Sequence, residues 1–135
     1  MRYLLDTNIC VHLLRGHYDV DKAIDHVGWE NCCISEITEL ELKIGVELSR
    51  SRDGRDRSKG LKRFLDSITI IPISTSIDIA AREKVRLRKQ GTPIDDDFDL
   101  LIGCTAIANG MMMVTENIKD FKNLKGIQLE NWIAR

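Results

Sequence analysis

The chain has 135 residues, enough for one domain with a real core and too few for two comfortable ones. Basic and acidic residues number 20 and 21, leaving a formal net charge of −1; this excludes a generic polycation, so nucleic-acid contact requires a local patch. Four cysteines without a Cys-x-x-Cys pair, no apolar run long enough to span a bilayer, and an N-terminal apolar run cut short by Asp6 point to a reduced, cytoplasmic protein without signal peptide or membrane anchor.

In chain order, Tyr3–Asp6 reads as a buried strand ending in a carboxylate, with Thr7 or Asn8 capping a helix over about residues 8–14. Asp6 thus stands at the carboxyl end of a strand, where open α/β sheets bind ligands, although a turn or cap role suits an Asp there equally. Further strands are expected at Cys32–Ser35, Ile68–Ile73, Met111–Thr115 and Ile127–Leu129. Helical patterns cover 19–27, 37–48, 59–65, 76–89 and 99–108, and the polar stretch Arg50–Gly60 reads as a loop. Strands alternating with helices predict a single α/β domain over residues 1–135, with a mostly parallel central sheet flanked by helices on both faces. The apolar runs Thr69-Ile70-Ile71 and Met111-Met112-Met113-Val114 fit strands buried on both faces. Cys10, Cys32, Cys33 and Cys104 read as small core residues, and on the 76–89 helix Ile79, Val85 and Leu87 are expected to face inward.

Three further acids stand out. Ile37, Leu40, Ile44 and Leu48 mark a buried stripe by their spacing, and Glu41 falls on it, so its carboxylate needs a cation, a basic partner or a wet cleft. Asp99 lies in the first turn of a helix that is apolar nearly all round, where the helix dipole favours its ionised form. Asp95 and Asp96 read as solvated loop charge and Asp97 as a secondary contributor. The Met111–Thr115 strand places Thr115 level with Asp6, and Asp120 follows on a short helix; a capping Thr115 and an exposed Asp120 explain these two equally. Carboxylates gathered from separate segments to one sheet edge repel unless neutralised. A hard divalent ion, magnesium or manganese, is the natural neutraliser, and such a site suits phosphodiester hydrolysis by a metal-activated water. His12, His17 and His26 form no evident constellation, and no nucleotide-binding glycine loop is present.

With these residues in place the chain resembles the PIN-domain ribonucleases, and among them the VapC toxins of bacterial toxin–antitoxin pairs. The matching segments are Leu4-Leu5-Asp6-Thr7-Asn8, Ile34-Ser35-Glu36-Ile37-Thr38 leading to Glu41-Leu42, Gly91-Thr92-Pro93-Ile94, Phe98-Asp99-Leu100-Leu101-Ile102, Val114-Thr115 with Asn117 and Asp120-Phe121, and Leu129-Glu130-Asn131-Trp132. The resemblance implies a magnesium- or manganese-dependent endoribonuclease with catalytic, metal-binding acids Asp6, Glu41, Asp99 and Asp120, leaving 3′-hydroxyl and 5′-phosphate ends. Asn8, Thr115 and Asn117 match supporting polar positions. It also implies an RNA substrate, a homodimer, and a cognate VapB-type antitoxin through which alone operator DNA is bound. Two departures from the family pattern add negative charge: the run Asp95-Asp96-Asp97, and Glu116 where Asn or Arg is common. Basic flanks for RNA are expected from Arg50, Arg52, Arg55, Arg57 and Lys59, a run that as a plain solvated loop would do nothing. A non-catalytic RNA- or partner-binding module and a DNA-directed nuclease of the same fold are the open alternatives. A phosphoacceptor module is disfavoured, because the last long strand runs into Thr115-Glu116-Asn117 and no Lys stands there.

Overall fold

A computed structural model describes residues 1–135. Strands β1 (Tyr3–Leu5), β2 (Cys32–Ser35), β3 (Thr69–Ile71), β4 (Met112–Val114) and β5 (Gln128–Glu130) form one parallel sheet in the order β3-β2-β1-β4-β5. Helices α1 (Thr7–Arg15), α2 (Val20–Val27), α3 (Glu36–Asp53), α4 (Ser58–Ser67), α5 (Ile77–Gln90), α6 (Asp97–Ala108) and α7 (Ile118–Phe121) connect them, with a 3-10 turn at Trp29–Asn31. This is the α/β architecture that alternating strand and helix patterns predict. No helix is long and apolar enough to cross a membrane.

Period-two alternation along the strands divides the core in two. Leu4, Cys33 and Met113 pack with Leu87 of α5, Ile102 and Cys104 of α6 and Phe121 of α7. Leu5, Ile34 and Val114 pack on the other face with Ile9 of α1, Ile24 of α2, Leu42 of α3 and Phe64 of α4. Helix α6 buries residues on every side, as its uniformly apolar sequence requires, and Gly103 lets α7 and the turn after it approach: a Cβ there would meet Leu124 Cδ1 at 2.5 Å. All four cysteines are buried and free.

The structure corrects the expected loop at Arg50–Gly60. Helix α3 continues to Asp53, Gly54 ends it in the left-handed conformation at φ 71°, and α4 starts at Ser58, so the connection is only residues 54–57. The added turn lacks an apolar period because Arg50, Ser51, Arg52 and Asp53 are all exposed; Arg50 and Glu47 form an i,i+3 pair at 2.8 Å. The predicted stripe on α3 is also displaced. Leu40, Ile44 and Leu48 are exposed, and Ile37, Thr38, Leu42 and Ser49 are buried. Spacing shows that a helix has an apolar face but not which face meets the core.

Helix α5 departs similarly. Val85 is exposed, while Glu83 is buried beside Ala80 and Leu87. Arg86 donates to both Glu83 oxygens, at 2.6 and 2.7 Å, and to the Asn123 carbonyl at 2.8 Å; Lys125 N donates to Glu83 at 2.7 Å. This ion pair ties α5 to the turn before β5, and the Arg86 hydrogen bonds hold the Glu83 carboxyl below its ordinary value of 4.5. A lowered folded value means stability that is fully present above pH 4.5 and lost progressively as the pH falls from there through the lower folded value. Arg86→Gln should therefore lower the unfolding free energy by about 1–3 kcal/mol at pH 7. In urea titrations the gap from the parent protein should narrow on acidification below the Glu83 range; a gap independent of pH would contradict this account.

Candidate active site

In the order β3-β2-β1-β4-β5, the chain leaves β1 toward one edge of the sheet and β4 toward the other, so a crevice opens beyond their adjacent carboxyl ends. Asp6 sits there, 4 % exposed, and itself caps α1, the role expected of Thr7 or Asn8. Its Oδ1 accepts from Thr7 N at 2.8 Å, and its Oδ2 accepts from the Thr115 hydroxyl at 2.7 Å. The Asp6 N–H donates to the Val114 carbonyl at 2.9 Å, locking the end of β1 to the end of β4. Burial raises the Asp6 carboxyl above its ordinary value against the opposing Thr115 and Thr7 bonds, and repulsion from Glu41 and Asp120 adds to the rise.

Glu41 is half-buried, on the side of α3 that carries Thr38 and Leu42. The Thr7 hydroxyl donates to Glu41 Oε1 at 2.7 Å and lies 3.1 Å from the Thr38 hydroxyl. Thr7 thus braces two acids, Asp6 through its backbone and Glu41 through its side chain. Thr7 was expected only as a possible helix cap and Thr38 had no expected role; the one available clue was that Thr38 precedes Glu41 by three residues and so shares its helix face.

Asp99 occupies the first turn of α6, as expected, but Asp96 is the cap, accepting from the Phe98 and Asp99 N–H groups at 2.9 and 3.3 Å. Burial, then repulsion from Asp96, Asp6, Glu41 and Asp120, pushes the Asp99 carboxyl up to about 7. These effects outweigh the helix dipole, which alone favours the ionised form. Asp120 is exposed on α7, and its N–H donates to the Asn117 carbonyl at 2.9 Å. Asp99 and Asp120 line one groove, of about 420 Å³, with Asp95 and Lys119; Glu41 lines another, of about 650 Å³, between α1, α3 and α4. A third groove, on the outer side of α3 and α4, holds none of the four acids.

The remaining candidates divide. The Thr115 hydroxyl, besides bonding Asp6, accepts from Asn117 N at 3.0 Å. Asn8 Oδ1 is buried without a hydrogen-bond partner. Asp97 is paired with Lys84 of α5 on the surface, so it is diverted from the acidic group. Glu116 brings no bare charge. Arg135 donates to its Oε2 through Nε and Nη2, at 2.8 and 2.6 Å, and His12 Nε2 lies 2.6 Å from its Oε1. Hydrogen bonds from His12 and Arg135 hold its carboxyl below the ordinary range. His12 therefore does belong to a constellation, one that sequence spacing could not reveal. Of the basic run, Arg52 and Arg57 line the groove that ends at Glu41. Arg50 is tied to Glu47 and Asp56, and Arg55 and Lys59 are exposed outside all three grooves.

None of Asp6, Glu41, Asp99 and Asp120 has a Lys, Arg or His within ion-pair distance, whereas Glu83, Asp97 and Glu116 each do. No three acid, His or Cys side chains form a ready-made metal ligand set. Magnesium does not require one, since it is bound through one or two carboxylates and keeps several waters. Hard oxygen donors, mutual repulsion that raises two of the acids, and an orphaned amide oxygen on Asn8 all fit such an ion.

Residues 3–127 match the PIN domain family. Ribonuclease VapC2 of Rickettsia felis is 37 % identical, with 98 % of each chain covered. The tRNA(fMet)-specific endonuclease VapC of Salmonella typhimurium is 26 % identical over the same shares. Among solved structures, VapBC2 from Rickettsia felis bound to a DNA fragment from its promoter matches with a TM-score of 0.86 and 33 % identity, covering 98 % of this chain and 99 % of that one. With its sheet order, its acids at the switch point and these likenesses together, the chain belongs to the PIN-domain family and, within it, to the VapC ribonucleases.

Proposed function

We propose that this chain is the cytoplasmic toxin of a toxin–antitoxin pair and acts as a magnesium- or manganese-dependent endoribonuclease, with Asp6, Glu41, Asp99 and Asp120 as its catalytic, metal-binding acids. The observation that carries the reading is that these four, from four separate segments, repel one another at the switch point with no basic side chain to neutralise them. The names of the relatives supply the reaction class. The VapBC assembly of the relative, bound to promoter DNA, supports a VapB-type antitoxin as partner; DNA contact through that antitoxin alone and a homodimeric working form are proposed from the family resemblance.

A divalent ion held there would supply an activated water and countercharge for the phosphate oxygens. Asp6 is fixed through both oxygens, yet each keeps a lone pair for a ligand. Thr7 holds Glu41 through Oε1 and leaves Oε2 free. Asp99, with a value of about 7, can carry a proton at neutral pH, so cation uptake at this carboxyl is coupled to proton release. Asn8, whose Oδ1 has no partner in the protein, and Asn117 would serve as supporting polar groups for the ion, phosphate or its waters. Hydrolysis would leave 3′-hydroxyl and 5′-phosphate ends.

The deciding experiment is cleavage of a mixed pool of structured RNAs by the purified chain, with single-stranded DNA in parallel. Cleavage should require magnesium or manganese, stop with chelator and spare the DNA; Asp6→Asn should reduce the rate on the order of 10³-fold while keeping the fold. Thr115→Val, which frees Asp6 Oδ2, should cost about 10- to 100-fold. Metal-independent cleavage, or full activity in Asp6→Asn, would refute the assignment. The Asp99 value gives a separate test of sign. A raised folded value penalises the ionised form: the penalty is absent below pH 3.8, grows as the pH rises, and levels off above about 7. Metal-free Asp99→Asn should therefore melt several degrees higher than the parent at pH 8 and match it near pH 4. An unchanged melting temperature at pH 8 would show that the acids do not repel as described.

A further inference from the structure

The groove of about 650 Å³ between α1 and the α3–α4 pair has two features that neither packing nor the acidic centre accounts for. One is its charge. Arg15 and His17 at the end of α1, Arg52 in the last turn of α3 and Arg57 just before α4 line it, and all four are exposed. Of the three arginines only Arg57 has an acidic partner, Asp53 at 3.7 Å. Arg50, two residues from Arg52, lies on the opposite side of the helix pair and is occupied by Glu47 and Asp56. The other feature is a pair of glycines. Gly45 in α3 and Gly60 in α4 line the groove, and a Cβ at either would meet nothing within 4 Å. Neither has a positive φ. Glycine inside a helix is less stable than alanine, so the fold itself gives no reason for glycine at either position. The room they leave belongs to the groove.

We propose that this groove seats the single-stranded RNA leading to the scissile phosphate, its backbone lying against Gly45 and Gly60 between Arg15, Arg52 and Arg57. This rests on the nuclease reading above. Glu41 marks the catalytic end, and Arg52 lies 11 residues further along α3, roughly 16 Å at the helical rise, a span for several nucleotides. An acidic centre repels phosphates, and a flanking strip of cations offsets that repulsion and releases counterions from the strand. The volume is that of a small-ligand cleft. No Phe, Tyr or Trp lines it, so the contacts are mainly to the backbone and tolerate sequence, and the choice of cleavage site is made elsewhere.

The test measures binding of an unstructured RNA oligonucleotide to the full chain carrying Asp6→Asn, across a salt series. Adding Arg52→Gln and Arg57→Gln should weaken binding about tenfold or more and flatten the slope of log K against log salt by about 1.4, at roughly 0.7 per phosphate contact. Arg50→Gln should bind like its parent. Gly45→Ala should raise the melting temperature yet weaken RNA binding, a combination that a purely structural glycine would not give. Unchanged affinity and slope in the double variant, or Gly45→Ala that stabilises without loss of binding, overturns the proposal. So does a double variant that releases an acidic peptide but not RNA, which would make the groove a protein-docking site. The two readings fail separately. Wild type that binds RNA through these arginines but never cleaves it defeats the nuclease reading alone. Active wild type whose double variant keeps KM and kcat defeats the groove alone.

Discussion

The constraint on which this structure depends is the burial of one ionisable side chain. Asp6 lies 4 % exposed where β1 meets β4, and the two strands are registered through its own backbone N–H. A carboxylate in that position is costly unless its oxygens are bonded, and Thr7 and Thr115 each supply one bond. The same two residues then hold the rest of the centre. Thr7 reaches Glu41 on α3, and Thr115 accepts from Asn117 and so shapes the approach to α7. The sheet order makes β1 and β4 neighbours and sends their connections apart, so the crevice exists before any side chain is considered.

Seen from Asp6, the distribution of charge has a clear division. Buried or partly buried acids elsewhere have been given cations: Glu83 has Arg86, and Glu116 has His12 and Arg135. Both are held below their ordinary values. Asp6 and Asp99, in the crevice, are pushed the other way. Opposite shifts in one small domain separate acids that stabilise the fold from acids that burden it. The departures from the family pattern fall on the stabilising side. Asp96 caps α6, Asp97 pairs with Lys84, and Glu116 anchors Arg135, so the added charge is absorbed locally and does not deepen the repulsion at Asp6. Asp95 and Asp96 line the groove that holds Asp99 and Asp120, and Asp96 contributes to the rise at Asp99; there the extra acids do reach the centre.

How much of this could be read from the sequence depended on the distance over which each feature is encoded. Strands and most helices are local patterns, and their positions were legible within a residue or two. So was Asp6, whose place follows from an apolar run ending in a carboxylate. Glu41 was legible for a partly wrong reason: Leu40, Ile44 and Leu48, the residues that seemed to bury it, face solvent, and Glu41 instead borders the face of Thr38 and Leu42. Asp120 and the supporting Asn8 and Asn117 came from family resemblance. The contacts of Glu116 with His12 and Arg135 span the whole chain and carry no periodic signature. Nor could spacing show that Arg15 and His17 of α1 meet Arg52 and Arg57 across a groove, because that juxtaposition is made by the packing of α1 on α3.

The near-neutral net charge conceals the arrangement that matters most. Cancellation over the whole chain leaves −1, yet four acids without a cation partner gather at the switch point and three arginines line the adjoining groove. A phosphodiester strand meeting this surface is attracted along the groove and repelled at its end. Glu41 marks that end, and no Lys, Arg or His pairs with it or with Asp6, Asp99 and Asp120 nearby. The repulsion is then, on the proposed reading, strongest at the phosphate to be cut, and it persists until the charge there is offset. On the proposed reading, retention of the strand and entry of its phosphate into the centre are therefore separable steps governed by different residues. The arginines set how long RNA stays, and the acids, through what neutralises them, set whether it reacts. A protein built in this way can hold RNA without cutting it, and its activity is most economically suppressed at the acids, where a single positive charge would satisfy the centre and displace what activates it.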